Sequence, residues 1–234
     1  MTDAVIPTSH DIVPGTTILL LPLGAWEQHG PHLPLDTDTV IISAVVAQSL
    51  ARDDIRAECF SVAPVLPITA SDEHAGFAGG LSTGTQALVD AVVAICRSSS
   101  SWTAGVLIAN GHGGNFDALT AIDSALTHEG ITHAVWSLPA YTGGDMHAGH
   151  TETSVMLHLN PQSVRVAAIR KSEQLGSDID MMREHGVRAL SPSGVLGDPT
   201  TATPEHGREV LAMYSESLAE RMRFCVSHWL NVSS

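Results

Sequence analysis

The sequence predicts an α/β fold, a three-layer α/β/α sandwich with a mostly parallel central sheet. Short apolar runs with the length of buried strands alternate with longer segments of helical pattern, and the alternation repeats along the chain. The 234 residues, 44% of them hydrophobic and only 15% charged, are sufficient to bury one sizeable core. We therefore expect a single domain over residues 1–234.

The first predicted unit is a strand followed by a helix. The apolar run ILLLPLG at residues 18–24 is typical of a strand buried on both faces, and TVIISAVVAQSLAR at 39–52 has helical length and pattern. The same signals predict strands at 57–67, 105–110 and 132–139, and helices at 85–97, 116–130 and 204–230. Repeated βα units of this kind place helices on both faces of a parallel sheet.

The chain is strongly acidic. Its 25 Asp and Glu residues outnumber its 11 Lys and Arg residues, and the net charge of −14 disfavours nucleic acid and anionic membranes as partners. The cysteines, Cys59, Cys96 and Cys225, lack Cys-x-x-Cys spacing, which disfavours a disulfide framework or a thiolate zinc site. With no targeting segment and no apolar run of membrane-spanning length, we expect a cytoplasmic protein.

Metal-capable side chains follow three of the predicted strands. They lie in WEQHGPHLPLDTDT at residues 26–39, in NGHGGN at 110–115 and in GDMHAGHTETS at 144–154. Because the carboxyl ends of parallel strands form the edge where α/β sheets bind ligands, we expect these three loops to converge. Mixed imidazole and carboxylate ligands suit zinc, iron or manganese.

The first two loops present their candidates differently. In an extended segment Glu27 and His29 face one point while Gln28 faces away, although a surface pair is an equally good interpretation of this spacing. The glycines around His112 permit a tight, exposed turn at the sheet edge. A phosphate-binding loop is the alternative for NGHGGN, but this segment lacks both the P-loop ending and the GxGxxG spacing.

Other acidic and histidine residues have structural alternatives. Either Asp36 or Asp38 could cap the helix that follows, and Glu152 could favour a helix dipole. His147 and His150 could be ordinary surface residues. The convergence of three loops, rather than any single residue, favours a metal site.

Three further residues are ambiguous in the sequence. Glu73 and His74 lie in a Gly- and Ala-rich segment that predicts either a mobile substrate loop or an ordinary surface turn. His32 lies between two prolines that restrict its backbone, which favours a structural or supporting role over metal binding.

The chain resembles the creatininase-type metal-dependent amidohydrolases over nearly its whole length. The resemblance rests on PLGAWEQHGPHLPLDTDT, SDEHAGFAGGLSTGT, NGHGGN, HAGHTETS and SGVLGDPTTATPEHG, in that order. It implies two divalent metal ions per chain, zinc and/or iron, with manganese as an alternative. By this resemblance the first ion is held by Glu27, Asp38 and His112, and the second by His29, Asp38 and Glu152.

The resemblance also implies a reaction and an assembly. Metal-bound hydroxide attacks an amide carbon, and His147 is similar to the histidine that shuttles a proton to the leaving nitrogen. The family further implies a closed homo-oligomer, with a hexamer as the expected size.

The chain departs from the creatinine-hydrolysing members at two places. Those members have a Glu where this chain has Gly114, so the second ion's carboxylate is assigned here to Glu152. They also have tryptophans in the loop before the shuttle histidine, where this chain has only Tyr141, which makes creatinine a doubtful substrate.

Within the family, the residues of these motifs are most similar to those of the branch that belongs to the mycofactocin system. That branch implies a peptidase that releases the C-terminal Val-Tyr-derived fragment from a modified precursor peptide. Creatininase-like hydrolysis of a lactam or formamide in another small molecule is the alternative.

Two interpretations outside hydrolysis use the same residues. A metal-binding protein without turnover needs the same ligands, although loop-borne ligands with open coordination positions favour catalysis. A mononuclear iron oxygenase needs only two histidines and one carboxylate, which Glu27, His29 and His112 supply. That second interpretation leaves Asp38 and Glu152 without a function.

Overall fold

The computed structural model describes residues 8–172 and 179–230. Four strands are present among them: β1 (Thr17–Leu23), β2 (Phe60–Val62), β3 (Thr103–Asn110) and β4 (His133–Ser137). The helices are α1 (Thr37–Leu50), α2 (Gly84–Ser99), α3 (Phe116–His128), α4 (His150–Leu159), α5 (Ile179–His185), α6 (Val187–Leu190) and α7 (Pro204–Trp229).

The four strands form one parallel sheet in the order β2-β1-β3-β4. Strands β1 and β3 are therefore central, and β2 and β4 are the edge strands. All seven residues of β1 are buried, as a continuous apolar run predicts for a strand covered on both faces. The predicted parallel α/β architecture is confirmed.

Alternate residues of the central strands enter two separate hydrophobic cores. Ile18 and Leu20 pack with α1, α4 and α7 on one face, whereas Leu19, Leu21 and Leu23 pack with α2 and α3 on the other. This period of two follows from the pleat of a strand, and it makes the molecule a helix–sheet–helix sandwich.

The predicted strand at residues 57–67 is largely wrong. Its regular part is only β2, preceded by a 3-10 turn at Ala57–Cys59 and followed by a single bridge between Leu23 and Leu66. Pro64 and Pro67 have no N–H to donate to a neighbouring strand, which explains why the ladder ends early. Helices α5 and α6 are also additions to the predicted order.

The last helix begins where its sequence signals predict. Thr203 caps it by accepting a hydrogen bond from the His206 N–H, and Pro204 occupies the first turn. It packs against α1 and α4 and closes one face of the sheet. None of the helices in the described ranges is long and apolar enough to cross a membrane.

Candidate metal centre

Four acidic or histidine side chains meet beyond the carboxyl ends of the central strands. Glu27 and His29 follow β1, His112 follows β3, and Asp38 lies in the first turn of α1. All four are buried, with relative exposures between 1% and 5%. Burial of so many ionisable groups is costly unless they neutralise one another or bind a cation.

The Asp38 carboxylate lies between the two histidines of this group. Its Oδ1 is 3.3 Å from His29 Nε2, and its Oδ2 is 3.0 Å from His112 Nδ1. Each oxygen therefore faces a different imidazole, which is the arrangement expected of a carboxylate that bridges two ions.

Among the four groupings of possible ligand atoms in the described residues, two share Asp38. Glu27, Asp38 and His112 have ligand atoms within 4.8 Å of one another, and so have His29, Asp38 and Glu152. These are the same two sets that the family resemblance implies. The structure brings all five residues together; their binding of metal is a proposal developed below.

The Glu27 carboxylate provides an independent sign that a cation fits here. Both of its oxygens are buried, and neither has a hydrogen-bond partner in the structure. His112 Nε2 lies 3.1 Å from Oε2 and His74 Nε2 lies 3.2 Å from Oε1, but neither pair is aligned as a hydrogen bond. A divalent cation would compensate this charge, so the residues present fit the ions that the family implies.

The outer nitrogens of both histidine candidates are held by the backbone. His29 Nδ1 donates to the Glu27 carbonyl at 3.2 Å, and His112 Nε2 donates to the Ala70 carbonyl at 3.0 Å. In a neutral imidazole this leaves the other nitrogen as the lone-pair donor, and that nitrogen faces Asp38 in each case. Both rings are thus oriented as metal ligands usually are.

Without metal, the buried charges shift one another's pKa values strongly. Burial raises the pKa of Glu27 to about 8. For His29, burial lowers the pKa, but the adjacent Asp38 outweighs burial and raises it to about 10. The pKa of His112 is also raised, because Glu27 and Asp38 outweigh its burial. The pKa of Asp38 is lowered, since His29 and His112 outweigh the cost of burying its charge.

His147 faces the same cluster from the loop before α4. Its Nε2 donates to the Gln28 carbonyl at 2.8 Å, and its Nδ1 lies 3.6 Å from Glu27 Oε1. Burial, reinforced by His29 and His74, holds the pKa of His147 well below its usual value. The ring is therefore neutral, with an unprotonated Nδ1 directed at the carboxylates.

Glu73 and His74, ambiguous in the sequence, join this cluster. They lie in a 3-10 turn (Asp72–His74), and Glu73 Oε1 is 3.3 Å from His112 Nε2. A Cβ added at Gly114 would collide with the Glu73 carboxylate and the His112 ring. Glu73 thus fills the space that a side chain at position 114 would need.

Glu152 combines a local role with its place in the cluster. Its Oε2 accepts a 2.5 Å hydrogen bond from the Ala148 N–H at the start of α4, and lies 3.9 Å from His29 Nε2. Burial raises the pKa of Glu152 to about 7. Ala148 has φ of 52°, a strained left-handed conformation of the kind that is concentrated at functional sites.

Asp145 positions the helix that holds Glu152. Its carboxylate accepts hydrogen bonds from the backbone N–H groups of His150 and Thr151, the first residues of α4. A Cβ at Gly149 or Gly197 would collide with this carboxylate. The signal in the sequence that could have identified Asp145 is an Asp shortly before a helix.

Three other candidates lie outside the cluster. His32 is buried and its Nε2 contacts Thr153 Oγ1 at 2.9 Å, in agreement with a structural role. Asp36 occupies the N-cap position of α1, yet its side chain makes no cap hydrogen bond, so the capping interpretation is wrong for it. His150 contacts Thr201 Oγ1 at 3.0 Å instead of the carboxylates.

The expectation that Gln28 faces away from the site is wrong. Its side-chain amide lies 2.8 Å from His74 Nδ1 and 3.1 Å from His147 Nε2. The segment after β1 is not a regular strand, because Gly30 turns the chain with φ of 68°, and strict alternation of side chains does not hold there. Glutamine is not a usual metal ligand, so its residue type offered no signal.

Comparison with known proteins agrees with this geometry. The creatininase (creatinine amidohydrolase) family profile matches residues 6–222. A protein of Mycobacterium tuberculosis named mycofactocin precursor peptide peptidase is 44% identical over 230 residues, which is 95% of this chain and 90% of that protein. The protein of the same name from Mycolicibacterium smegmatis is 42% identical over 217 residues, covering 92% and 86% of the two chains.

Among solved structures, a mutant creatininase of the Zn–Zn type matches with a TM-score of 0.71 and 25% identity, covering 90% of this chain and 91% of that one. The profile spans most of the chain, and the relatives exceed 40% identity over nearly all of it. This chain belongs to the creatininase family, whose members are metal-dependent amide-bond hydrolases.

Proposed function

We propose that the chain is a metal-dependent peptidase that cleaves a modified mycofactocin precursor peptide and releases its C-terminal Val-Tyr-derived fragment. The observation that supports a hydrolytic site is the pair of ligand groupings that share Asp38. The relatives named mycofactocin precursor peptide peptidase support the choice of substrate, since they are 42–44% identical over most of the chain.

The five proposed ligands are Glu27, His29, Asp38, His112 and Glu152. When bound, two divalent ions at such a site would lower the pKa of a bound water to about 7 and would polarise the amide carbonyl. The residues themselves hold the geometry: the backbone bonds of His29 and His112 fix both rings, and Asp38 joins the two groupings.

His147 is the proposed proton carrier. Since its Nε2–H is engaged by the Gln28 carbonyl, the proton must be taken up and released at Nδ1, the nitrogen that faces the carboxylates. A neutral ring accepts a proton from the attacking water and then delivers it to the leaving amide nitrogen, which departs poorly as an anion.

The proposed site is accessible on its outer side. The side chains of Glu73 and Glu152 are 16% and 26% exposed, whereas Glu27, Asp38, His29 and His112 are 4% exposed or less. We therefore place the approach of the peptide on the side of Glu73 and Glu152, where the cluster meets solvent.

The identity of the metal, the assembly and the location are further proposals. Imidazole and carboxylate ligands suit zinc, iron and manganese alike, and a related creatininase is of the Zn–Zn type. A closed homo-oligomer, a hexamer by family resemblance, is testable by native mass spectrometry. The three free, buried cysteines support a reducing compartment such as the cytoplasm.

The central experiment follows peptide cleavage by mass spectrometry. The protein is loaded with zinc, iron or manganese and incubated with the modified precursor peptide. A chelator-treated sample and the unmodified peptide are the controls. We expect metal-dependent release of the C-terminal fragment. An intact peptide with a fully metal-loaded protein would refute the proposed substrate.

The same protein preparation also tests the alternative substrates. Creatinine, other lactams and formamides are offered in place of the peptide, and turnover of one of them with no peptide cleavage would favour a small-molecule hydrolase. Metal uptake without turnover of any of these would favour a binding protein.

A further inference from the structure

The side-chain amide of Gln28 has a fixed orientation. Its Oε1 accepts a hydrogen bond from the Gly30 N–H at 2.9 Å, and its Nε2 donates to the Gly194 carbonyl at 3.1 Å. A backbone N–H can only donate and a carbonyl can only accept, so the oxygen and nitrogen of this amide cannot be interchanged. Gly194, with φ of 82°, provides the room, because a Cβ there would collide with the amide.

The second hydrogen of this amide can go only to His74. Two imidazole nitrogens are near Gln28 Nε2: His74 Nδ1 at 2.8 Å and His147 Nε2 at 3.1 Å. His147 Nε2 is 2.8 Å from the Gln28 backbone carbonyl, an obligatory acceptor, and must itself hold a hydrogen. His74 Nδ1 is therefore the acceptor, and in the neutral ring the hydrogen is on Nε2.

The tautomer of His74 is therefore opposite to that of the other histidines at the site. His29, His112 and His147 each donate their outer N–H to a backbone carbonyl and direct a bare nitrogen inward. His74 accepts on its outer nitrogen and keeps its hydrogen on Nε2, which lies 3.2 Å from Glu27 Oε1, although the pair is not aligned as a hydrogen bond in the structure.

We propose that His74 is a fixed N–H donor that orients the Glu27 carboxylate, and that Gln28 is the residue that holds His74 in this tautomer. His74 is then a positioning residue and does not bind metal, even though Glu27, Glu73 and His74 form a grouping of suitable size for a cation. An N–H that closes on Oε1 would leave the other oxygen of Glu27, Oε2, as the atom available to the first proposed ion.

The inference depends on metal binding by Glu27 and not on which amide is hydrolysed. Its test is therefore a spectroscopic measurement on the zinc-loaded protein, with no substrate present. Long-range proton–nitrogen NMR correlations of the histidine rings report which nitrogen is protonated, and loss of one set of signals in His74→Gln assigns those of His74. We expect a protonated Nε2 and an unprotonated Nδ1. A zinc-bound Nε2, or a proton on Nδ1 alone, would overturn the proposal.

A variant that replaces the amide by a carboxylate tests the role of Gln28. In Gln28→Glu the group near His74 Nδ1 becomes an acceptor, so we expect Nδ1 to gain a proton. The exposed Gln86→Glu is the matched control for the added charge and leaves the tautomer of His74 unchanged. An unchanged His74 in folded Gln28→Glu would contradict the assignment, and the wild-type spectrum decides the first claim if that variant does not fold.

Zinc binding distinguishes a donor from a ligand. We expect His74→Phe to retain two zinc ions per chain but to weaken the ion held by Glu27 by roughly 10–100-fold, the usual effect of removing a partner of a metal ligand. His74→Gln keeps an N–H and restores part of the affinity. Loss of a whole zinc equivalent in both variants would identify His74 as a ligand and refute the proposal.

Discussion

The central and the edge strands of the sheet contribute to the site in different ways. Glu27, His29 and His112 follow the central strands β1 and β3 within a few residues, and their side chains are 4% exposed or less. Glu73, His147 and Glu152 follow the edge strands β2 and β4 after long irregular connections, and Glu73 and Glu152 are partly exposed. We call Glu27, His29, Asp38 and His112 the central set. We call Glu73, His147 and Glu152 the edge set.

The two sets differ in what holds their side chains in place, and we expect them to differ in function. The central set lies at positions that the sheet itself fixes, and its histidines are tied to backbone carbonyls. The edge set depends on particular turns, such as the Asp72–His74 turn and the loop that Asp145 stabilises. We expect changes in the central set to remove metal. Changes in Glu73 and His147 should alter turnover or local stability while metal remains, whereas loss of Glu152, a proposed ligand, should weaken the second ion.

Substitution of Asp38 by Ala should have the largest effect. Since its two oxygens face His29 and His112, its loss disrupts both groupings at once. We expect loss of both ions by elemental analysis and a fall in turnover of roughly 10³-fold or more. Asp36→Ala is the matched control, because Asp36 makes no cap bond and lies outside the cluster. Retention of two ions in Asp38→Ala would contradict the proposal that Asp38 bridges them.

His147→Ala should reduce turnover without removing metal. General acid–base groups contribute about 10²–10⁴-fold, and we expect kcat to fall within that range while both ions remain bound. His150→Ala serves as the control, since His150 contacts Thr201 and not the carboxylates. Full turnover in metal-loaded His147→Ala would contradict proton transfer by this residue. Loss of an ion would identify His147 as a metal ligand.

Metal affinity should rise with pH because protons occupy the central set when metal is absent. The raised pKa values of Glu27, at about 8, and His29, at about 10, keep both groups protonated at neutral pH, and a bound cation displaces these protons. The sign follows directly: lowering the pH favours the protonated, metal-free site. We expect zinc affinity to increase about tenfold per pH unit for each proton released near pH 7.

Calorimetry in buffers of different ionisation enthalpy measures this proton release directly. A zinc affinity that does not change over about one pH unit either side of neutrality would contradict the raised pKa values.

The same division explains what the sequence could and could not predict. Glu27, His29 and His112 follow apolar runs directly, so strand periodicity together with family motifs predicts where they meet. Gln28 and Glu73 lie in irregular segments whose shape depends on distant contacts, such as Gly194 with Gln28. Local pattern contains no information about those contacts, and it misplaced Gln28.

Strand β2 shows the same limit at the level of the fold. Its apolar run predicted a strand to residue 67, but the prolines end the ladder early and leave the long connection that positions Glu73 and His74. The single domain over residues 1–234 stays a prediction, which the two cores on one shared sheet support.

Adjacent glycines allow a sharper test of the edge set. A Cβ at Gly114 would collide with Glu73 and His112, whereas a Cβ at Gly113 meets nothing within 4 Å. We expect Gly114→Ala to displace Glu73 and to destabilise the fold by about 1–3 kcal/mol through overpacking. Gly113→Ala should be close to wild type in thermal stability and zinc affinity. Equal behaviour of the two variants would show that Glu73 does not occupy this space in solution.

Removal of the Asp145 carboxylate should have the smallest effect, because it acts only through the start of α4. In Asp145→Ala the N–H groups of His150 and Thr151 lose their acceptor, and loss of such a cap costs about 1 kcal/mol. For a chain of this size that lowers Tm by roughly 2–4 °C, and because Glu152 lies in the same turn, zinc at the second grouping should bind more weakly. Asp145→Asn keeps one acceptor oxygen and should recover much of both losses. If Asp145→Ala lowers Tm but leaves both zinc affinities unchanged, Asp145 stabilises the start of α4 without positioning Glu152 at the second grouping.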